Sequence, residues 1–200
     1  MALKIQYNKT YLQLLNRGLK VRENALPTLQ AKESALRLEV KKAKEEVAEI
    51  ARQLERRLAE AAPADRLWSE FPAKLVKLGA VDIQIKKIAG VKTPVFGGVT
   101  FEVKPYSMFN QSAWVPQGIE LARQIAALNV RKQVAARKME ILEYARKKTT
   151  QKVNLYEKVQ IPEFREALLK IKRFLEDEDN LAKSSQKILK ARLAAAEAVA

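Results

Sequence analysis

The chain contains no cysteine and no histidine. Without thiols it can form no disulfide and run no thiolate chemistry, which suits a reducing compartment. Without imidazole it lacks the usual general base and the commonest transition-metal ligand. Helix breakers are scarce as well: six glycines and seven prolines occur in 200 residues, and most fall between positions 63 and 118. Aromatic residues make up only 6%, too few for large aromatic cores and in keeping with seams filled by Leu, Ile and Ala. No run of about 18 apolar residues exists to span a bilayer. Residues 1–10 lack the apolar centre of a signal peptide, so a soluble product is expected.

What the chain has is helix formers and positive charge. Both flanks are rich in Ala, Leu, Glu, Lys, Gln and Arg, residues that favour helix. In the first flank, Leu12, Leu15, Leu19, Leu26, Leu29, Leu36, Val40, Ala43, Val47, Ile50, Leu54 and Ala61 form one ladder of alternating three- and four-residue steps. Only Arg22, Glu33 and Arg57 interrupt it. A repeat of 3.5 residues sustained over that length keeps one narrow stripe facing a partner helix. At about 1.5 Å per residue, residues 12–61 predict a rod roughly 75 Å long. The net charge of +15 calls for a partner of opposite sign, be it nucleic acid, an anionic membrane surface or an acidic protein cavity.

The sequence divides into an N-terminal coiled-coil helix (1–62), a central segment (63–117) and a C-terminal coiled-coil helix (118–200). Asn8 or Thr10 can cap the first helix; Pro27 predicts a kink within it, and Pro63 marks its end. In the centre, Leu67, Trp68, Phe71, Leu75, Val76 and Leu78 predict a short helix ending at Gly79, broken or begun at Pro72. Val81, Ile83 and Ile85, and then Val99, Phe101 and Val103, alternate with polar residues as strands do. Gly90, Pro94, Gly97 and Gly98 between them predict an irregular hairpin loop. A second seam runs through Leu128, Ala135, Met139, Leu142, Thr149, Val153, Tyr156, Phe164, Leu168, Ile171, Leu175, Ala182 and Leu189, with Pro162 as another kink. The expected fold is mostly α: a long antiparallel two-helix coiled coil with a small centre holding a short helix and a β-hairpin.

Matching the two ladders with facing positions that add to about 200 sets Leu19 against Leu181, Leu26 against Phe174 and Leu36 against Phe164. The same register pairs Arg22 with Glu178 and Arg57 with Glu143, so that two ladder interruptions become seam charge pairs.

No catalytic constellation is present and no cofactor is expected. Gly97-Gly98 is followed by Val99-Thr100 rather than by the Lys and helix start of a phosphate-binding loop. The run Glu176 to Asp179 points in four directions on a helix, which makes it a solvated face before a cation site. Arg131, Lys132, Arg137, Lys138, Arg146, Lys147, Lys148 and Lys152 form the strongest charge feature. Its plain reading is a coiled-coil exterior. As a functional candidate, Arg137, Lys138, Arg146, Lys147, Lys148, Lys152 and Asn154 form a partner-contact stripe. Val95, Phe96 and Phe101, together with Met108, Phe109 and Trp114, form either a mini-core or a partner-binding patch.

The sequence also resembles a family. Thr149-Thr150-Gln151-Lys152-Val153-Asn154-Leu155, then Ile161-Pro162, then Leu168 to Leu175 with Glu176 and Glu178, is similar in order and spacing to the D subunit of the V-type (A/V-type) rotary ATPases. Asn8-Lys9-Thr10 with Leu12 and Leu15, and Ala89-Gly90-Val91-Lys92 with Pro94-Val95-Phe96, look like that family's opening helix and central loop. Lys152, Gln151, Glu33 and Asp179 depart from its pattern. The resemblance implies a non-catalytic central-stalk rotor that transmits torque between a ring of catalytic and regulatory subunits (A and B) and a proton- or sodium-carrying membrane ring. It implies the small F subunit of the stalk and a membrane-side funnel protein (C/d) as partners. A cytoplasmic location peripheral to the membrane follows, without direct insertion. The alternative function is a basic helical-hairpin adaptor for nucleic acid or an anionic membrane.

Overall fold

The computed structural model describes residues 5–62, 65–72, 74–107, 109 and 111–197. In chain order these form helix α1 (Lys9–Ala61), the short helix α2 (Asp65–Glu70), strands β1 (Val76–Ile88) and β2 (Val91–Val103) and helix α3 (Val115–Leu155). A π-helical turn (Tyr156–Gln160) and helix α4 (Ile161–Glu197) follow. The chain is mostly helical, with one antiparallel two-stranded hairpin at its centre. It makes two compact bodies: Met1–Ala31 with Thr149–Ala200, and Lys32–Lys148.

In the first body, the start of α1 packs against α4. The Asn8 carboxamide oxygen accepts from the Tyr11 N–H at 2.6 Å and satisfies one of the free donors of the first turn. Leu15, Phe164, Ala167, Leu168 and Ile171 form the buried core, with Ile5, Tyr11, Leu12, Leu19 and Leu175 around it. The Tyr7 and Phe174 rings meet at 4.8 Å between centroids. α1 is one helix through Pro27, whose ring lies on the exposed side.

In the second body, Leu36, Val40 and Ala43 of α1 pack on Leu142 of α3. The hairpin turns at Ala89-Gly90, both at positive φ (48° and 80°), the signature of the two-residue turns that match strand twist. Next to that turn, Ile88, Ala89 and Val91 rest on the Leu36–Leu142 cluster. At the hairpin's base, Val76, Val103 and Tyr106 cover Leu75, Val115 and Ile119.

This corrects the expected centre in two ways. Pro94, Gly97 and Gly98 lie within β2 rather than in a loop. β1 begins at Val76, where Val76 and Leu78 pair with Val103 and Phe101, so those two residues are strand and α2 is only the six residues before Phe71. Two irregularities, between Leu78 and Val81 and between Asp82 and Ile83, hide the strand's continuity from a period-two reading. Thr100 ties the first of them, its hydroxyl accepting from the Ala80 N–H at 2.9 Å and donating to the Ala80 carbonyl at 3.1 Å. Pro63 and Met108 fall outside the described residues.

The register also differs from the expected one. Tyr7 meets Phe174, Arg22 meets Gln160, Lys44 meets Glu143 and Glu46 meets Lys138. Facing numbers therefore add to the 180s, not to 200. A ladder with apolar residues at both a and d matches itself after every slide of about 3.5 residues, so apolar matching alone accepts many registers. In the second body, Ala61 near the end of α1 lines a groove with Ala122 and Ile125 near the start of α3, where a sum of 200 would have set it against Met139. Arg22 is consequently not paired with Glu178, which is exposed and 18 positions beyond Gln160, roughly 27 Å along a helix. Arg57 bonds Glu60 at 2.7 Å, not Glu143, whose cross-strand partner is Lys44 at 3.3 Å.

Candidate functional site

The predicted basic stripe is not one stripe. At about 100° per residue, Arg137, Lys138, Lys148 and Lys152 fall on one side of their helix, while Arg146, Lys147 and Asn154 fall on others. Arg137 pairs with Glu140 at 2.9 Å. Lys138 is largely buried and pairs with Glu46 of α1 at 2.8 Å, so it belongs to the helix–helix contact. Arg146 is half-buried and lies 4.0 Å from Glu143. Lys147, Lys148, Lys152 and Asn154 are exposed, with the Lys148 ammonium 5.6 Å from the centre of the Tyr144 ring.

The hairpin patch is distributed as well. Val95, Phe96 and Phe101 are half-buried, and Val95 and Phe96 line a cleft with Arg131, Val134 and Lys138 of α3. The exposed apolar face lies on β1 instead, where Ile83 and Ile85 are 49% and 74% exposed opposite Phe96 and Pro94. Phe109 is fully exposed. Trp114 leaves the predicted cluster and packs edge-on against Trp68 and Phe71, at 4.8 Å and 5.9 Å between centroids. An apolar groove of about 550 Å³, lined by Leu58, Ala61, Trp68, Ala122 and Ile125, opens beside that pair.

Two further features follow from the register. Beyond Leu175, every described side chain of α4 through Ala194 is exposed. Among them are Leu181, Ile188, Leu189 and Leu193, exposed by 69%, 56%, 59% and 55%. Leu181 and Leu189, expected in the seam, face no helix of the body to which they belong. The acidic run 176–179 sits on this same solvated length. Among the described residues, no group of side chains is arranged to hold a metal ion, and no helix is long and apolar enough to cross a membrane.

The second feature is the π turn. The Ile161 N–H bonds the Tyr156 carbonyl, five residues back, and Pro162 follows without a donor of its own. Before this turn, the seam of the second strand steps by sevens through Ala135, Leu142, Thr149 and Tyr156. After it the seam continues at Phe164 and Ile171. The step from Tyr156 to Phe164 is eight, so the heptads carry one extra residue there, and the π turn absorbs it. That eight is visible in the sequence beside Pro162 and is the available signal for the turn.

Arg22 occupies a d-type seam position of α1, three residues after Leu19 and four before Leu26, opposite this skip. Its Nε donates to the Gln160 side-chain oxygen at 2.8 Å, its Nη1 donates to the Gly18 carbonyl at 2.9 Å, and its guanidinium lies 4.2 Å from the centre of the Phe164 ring. Gly18 is required for this fit, because a Cβ there would stand 2.9 Å from Phe164 and 3.3 Å from the guanidinium. One residue outward, Arg165 pairs with Glu23 at 2.7 Å.

Comparison with known proteins bears directly on these long helices. A family model for the ATP synthase D subunit matches residues 11–191. The chain is 30% identical to the V-type ATP synthase D subunit of Borreliella burgdorferi over 193 residues, 95% of each protein. It is 31% identical to the protein of that name from Chlamydia felis and 29% identical to that from Chlamydia caviae, over 88% of each protein. A match of this extent takes in α1, the hairpin and most of α4, and the chain belongs to the ATP synthase D-subunit family.

Proposed function

We propose that the chain is the central-stalk rotor subunit of a V/A-type rotary ATPase, a non-catalytic part that carries torque between the nucleotide-binding hexamer and the ion-translocating membrane ring. Family membership sets the reading. The observation that carries it is the exposed length of α4, with an apolar series (Leu181, Ile188, Leu189, Leu193) open to solvent on a continuous helix. A helix that exposes such residues, with no partner for them among the described residues of its own body, suits entry into a cavity of another protein. The hexamer of catalytic and regulatory subunits (A and B) supplies that cavity.

The physics of the role lies in the helices. Each backbone turn is closed by hydrogen bonds along its axis, and a close-packed seam resists sliding because its side chains already interlock. Leu15, Leu36, Leu142 and Ile171 are essentially free of solvent and supply that resistance. The aromatic end, with Trp68, Trp114 and the adjoining groove, offers a contact for the membrane-side funnel protein (C/d), and the exposed lysines of α3 offer one for the small F subunit.

Reconstitution tests the reading. Added to a hexamer of its own organism lacking the stalk, the chain should bind at one copy per hexamer and restore coupling of hydrolysis to ion transport. A chain truncated after Leu175 should keep its folded core yet lose that coupling. Failure of the intact chain to bind would refute the proposal.

A further inference from the structure

We propose that Arg22 is a positioning residue that locks the one-residue skip, and that residues 156–160 with Arg22 form a joint at which the twist of the two-helix segment is set. Three observations converge. The seam gains one residue between Tyr156 and Phe164. The backbone takes it up as a π turn closed by the Ile161-to-Tyr156 bond. The polar residue that interrupts the α1 ladder at this level is bonded to the last residue of that turn and stacked on the first aromatic after it.

An Arg at a seam position ordinarily costs stability. Here the extra residue brings the Gln160 amide to the seam, where an apolar partner would leave its oxygen unpaired. A long guanidinium satisfies that oxygen, returns a second bond to Gly18 and covers Phe164. The π turn and Arg22 are therefore each the reason for the other. A π turn is underwound relative to its flanks and, followed by Pro162, lacks one donor. Such a turn resists twisting less than the regular α-helical turns beside it, and the Arg22 contacts limit that freedom. The mechanical meaning rests on the stalk reading; the lock itself does not.

A double-mutant cycle on the full chain tests the lock. Deleting Lys158 restores an unbroken heptad spacing from Tyr156 onward and moves Gln160 off the seam. Arg22→Leu should lower the unfolding midpoint of the parent chain and raise it in the deletion background, a change of sign. The same shift in both backgrounds, of either sign, would overturn the proposal. Should the deletion variant fail to fold, hydrogen exchange decides. Arg22→Leu should speed exchange of the amides of residues 156–161, 163 and 164 by roughly tenfold, as loss of a charge-assisted bond implies, and leave amides 36–43 unchanged. Unchanged exchange at 156–164 would equally overturn it. A failed cycle in a chain that still binds and couples the hexamer defeats the lock alone; a sound cycle in a chain that does not bind defeats the stalk reading alone.

Discussion

Two apolar residues of α4 ten positions apart, both expected to face α1, should differ sharply when cut to alanine. Ile171 is fully buried among Leu15, Phe164, Ala167 and Leu168, whereas Leu181 on the same helix is 69% exposed. Ile171→Ala removes three carbons from water-free contact. At about 0.8 kcal/mol per carbon that is a loss of about 2.4 kcal/mol, and the residual cavity brings the cost to about 3–4 kcal/mol. Leu181→Ala changes nothing that is packed and should stay within about 0.5 kcal/mol. Urea unfolding followed by helical circular dichroism reads the difference as a shift in midpoint at constant slope. In a chain of this size, about 3 kcal/mol also lowers the thermal midpoint by roughly 6–12 °C. Under a register in which facing numbers add to 200, Leu181 would lie against Leu19, and both substitutions would be costly. Equal losses at the two positions would refute the packing described above.

Other outcomes follow from single sites. Gly97→Ala should destabilise the hairpin by about 1–3 kcal/mol, because its Cβ would collide with the Asp82 carboxylate; Asp82→Ala in the same chain should recover part of that loss in a thermal melt. Gly90→Val should cost about 1–2 kcal/mol, since the turn needs φ of +80° there, with faster exchange of the β1 and β2 amides as the local readout. Thr93→Val should cost about 1 kcal/mol, as the buried hydroxyl donates to the Lys86 carbonyl at 3.0 Å. Lys138→Ala should cost less than about 1 kcal/mol in moderate salt, despite the 2.8 Å pair with Glu46, because that carboxylate remains 40% exposed.

The helices and the hairpin are legible in the sequence because their signals are periodic: the three-and-four ladder over residues 12–61 and the period-two alternation at 81–85 and 99–103. Asn8 is legible as a cap because its short amide sits one turn before the pattern begins. The register is not. Apolar ladders match at every half-heptad, so Leu19 accepts Leu181 on paper as readily as its true neighbours. What excludes the wrong match is contact in three dimensions, as where Ala61 lines a groove with Ala122 and Ile125 rather than with Met139. The expected charge pairs fail with it, since the Arg22 site calls for an uncharged amide oxygen and an aromatic face rather than a carboxylate. Gly97 and Gly98 read as turn residues because a bulge and a turn demand the same glycine, and only the pairing of Asp82 with Gly98 and Ile83 with Phe96 separates the two. The basic residues read as a stripe only because they are near in sequence, and nearness in sequence is not nearness on a helix face.

As the proposed rotor, this chain would turn inside the hexamer. Because it contains no cysteine, a single cysteine introduced at exposed Phe109 would carry a bead without competing sites. With the hexamer fixed to a surface and ATP supplied, the bead should rotate in one direction with threefold pauses, and stop when ATP is withdrawn. A bead that remains attached and merely fluctuates, under conditions where the hexamer hydrolyses ATP, would rule out the rotor role.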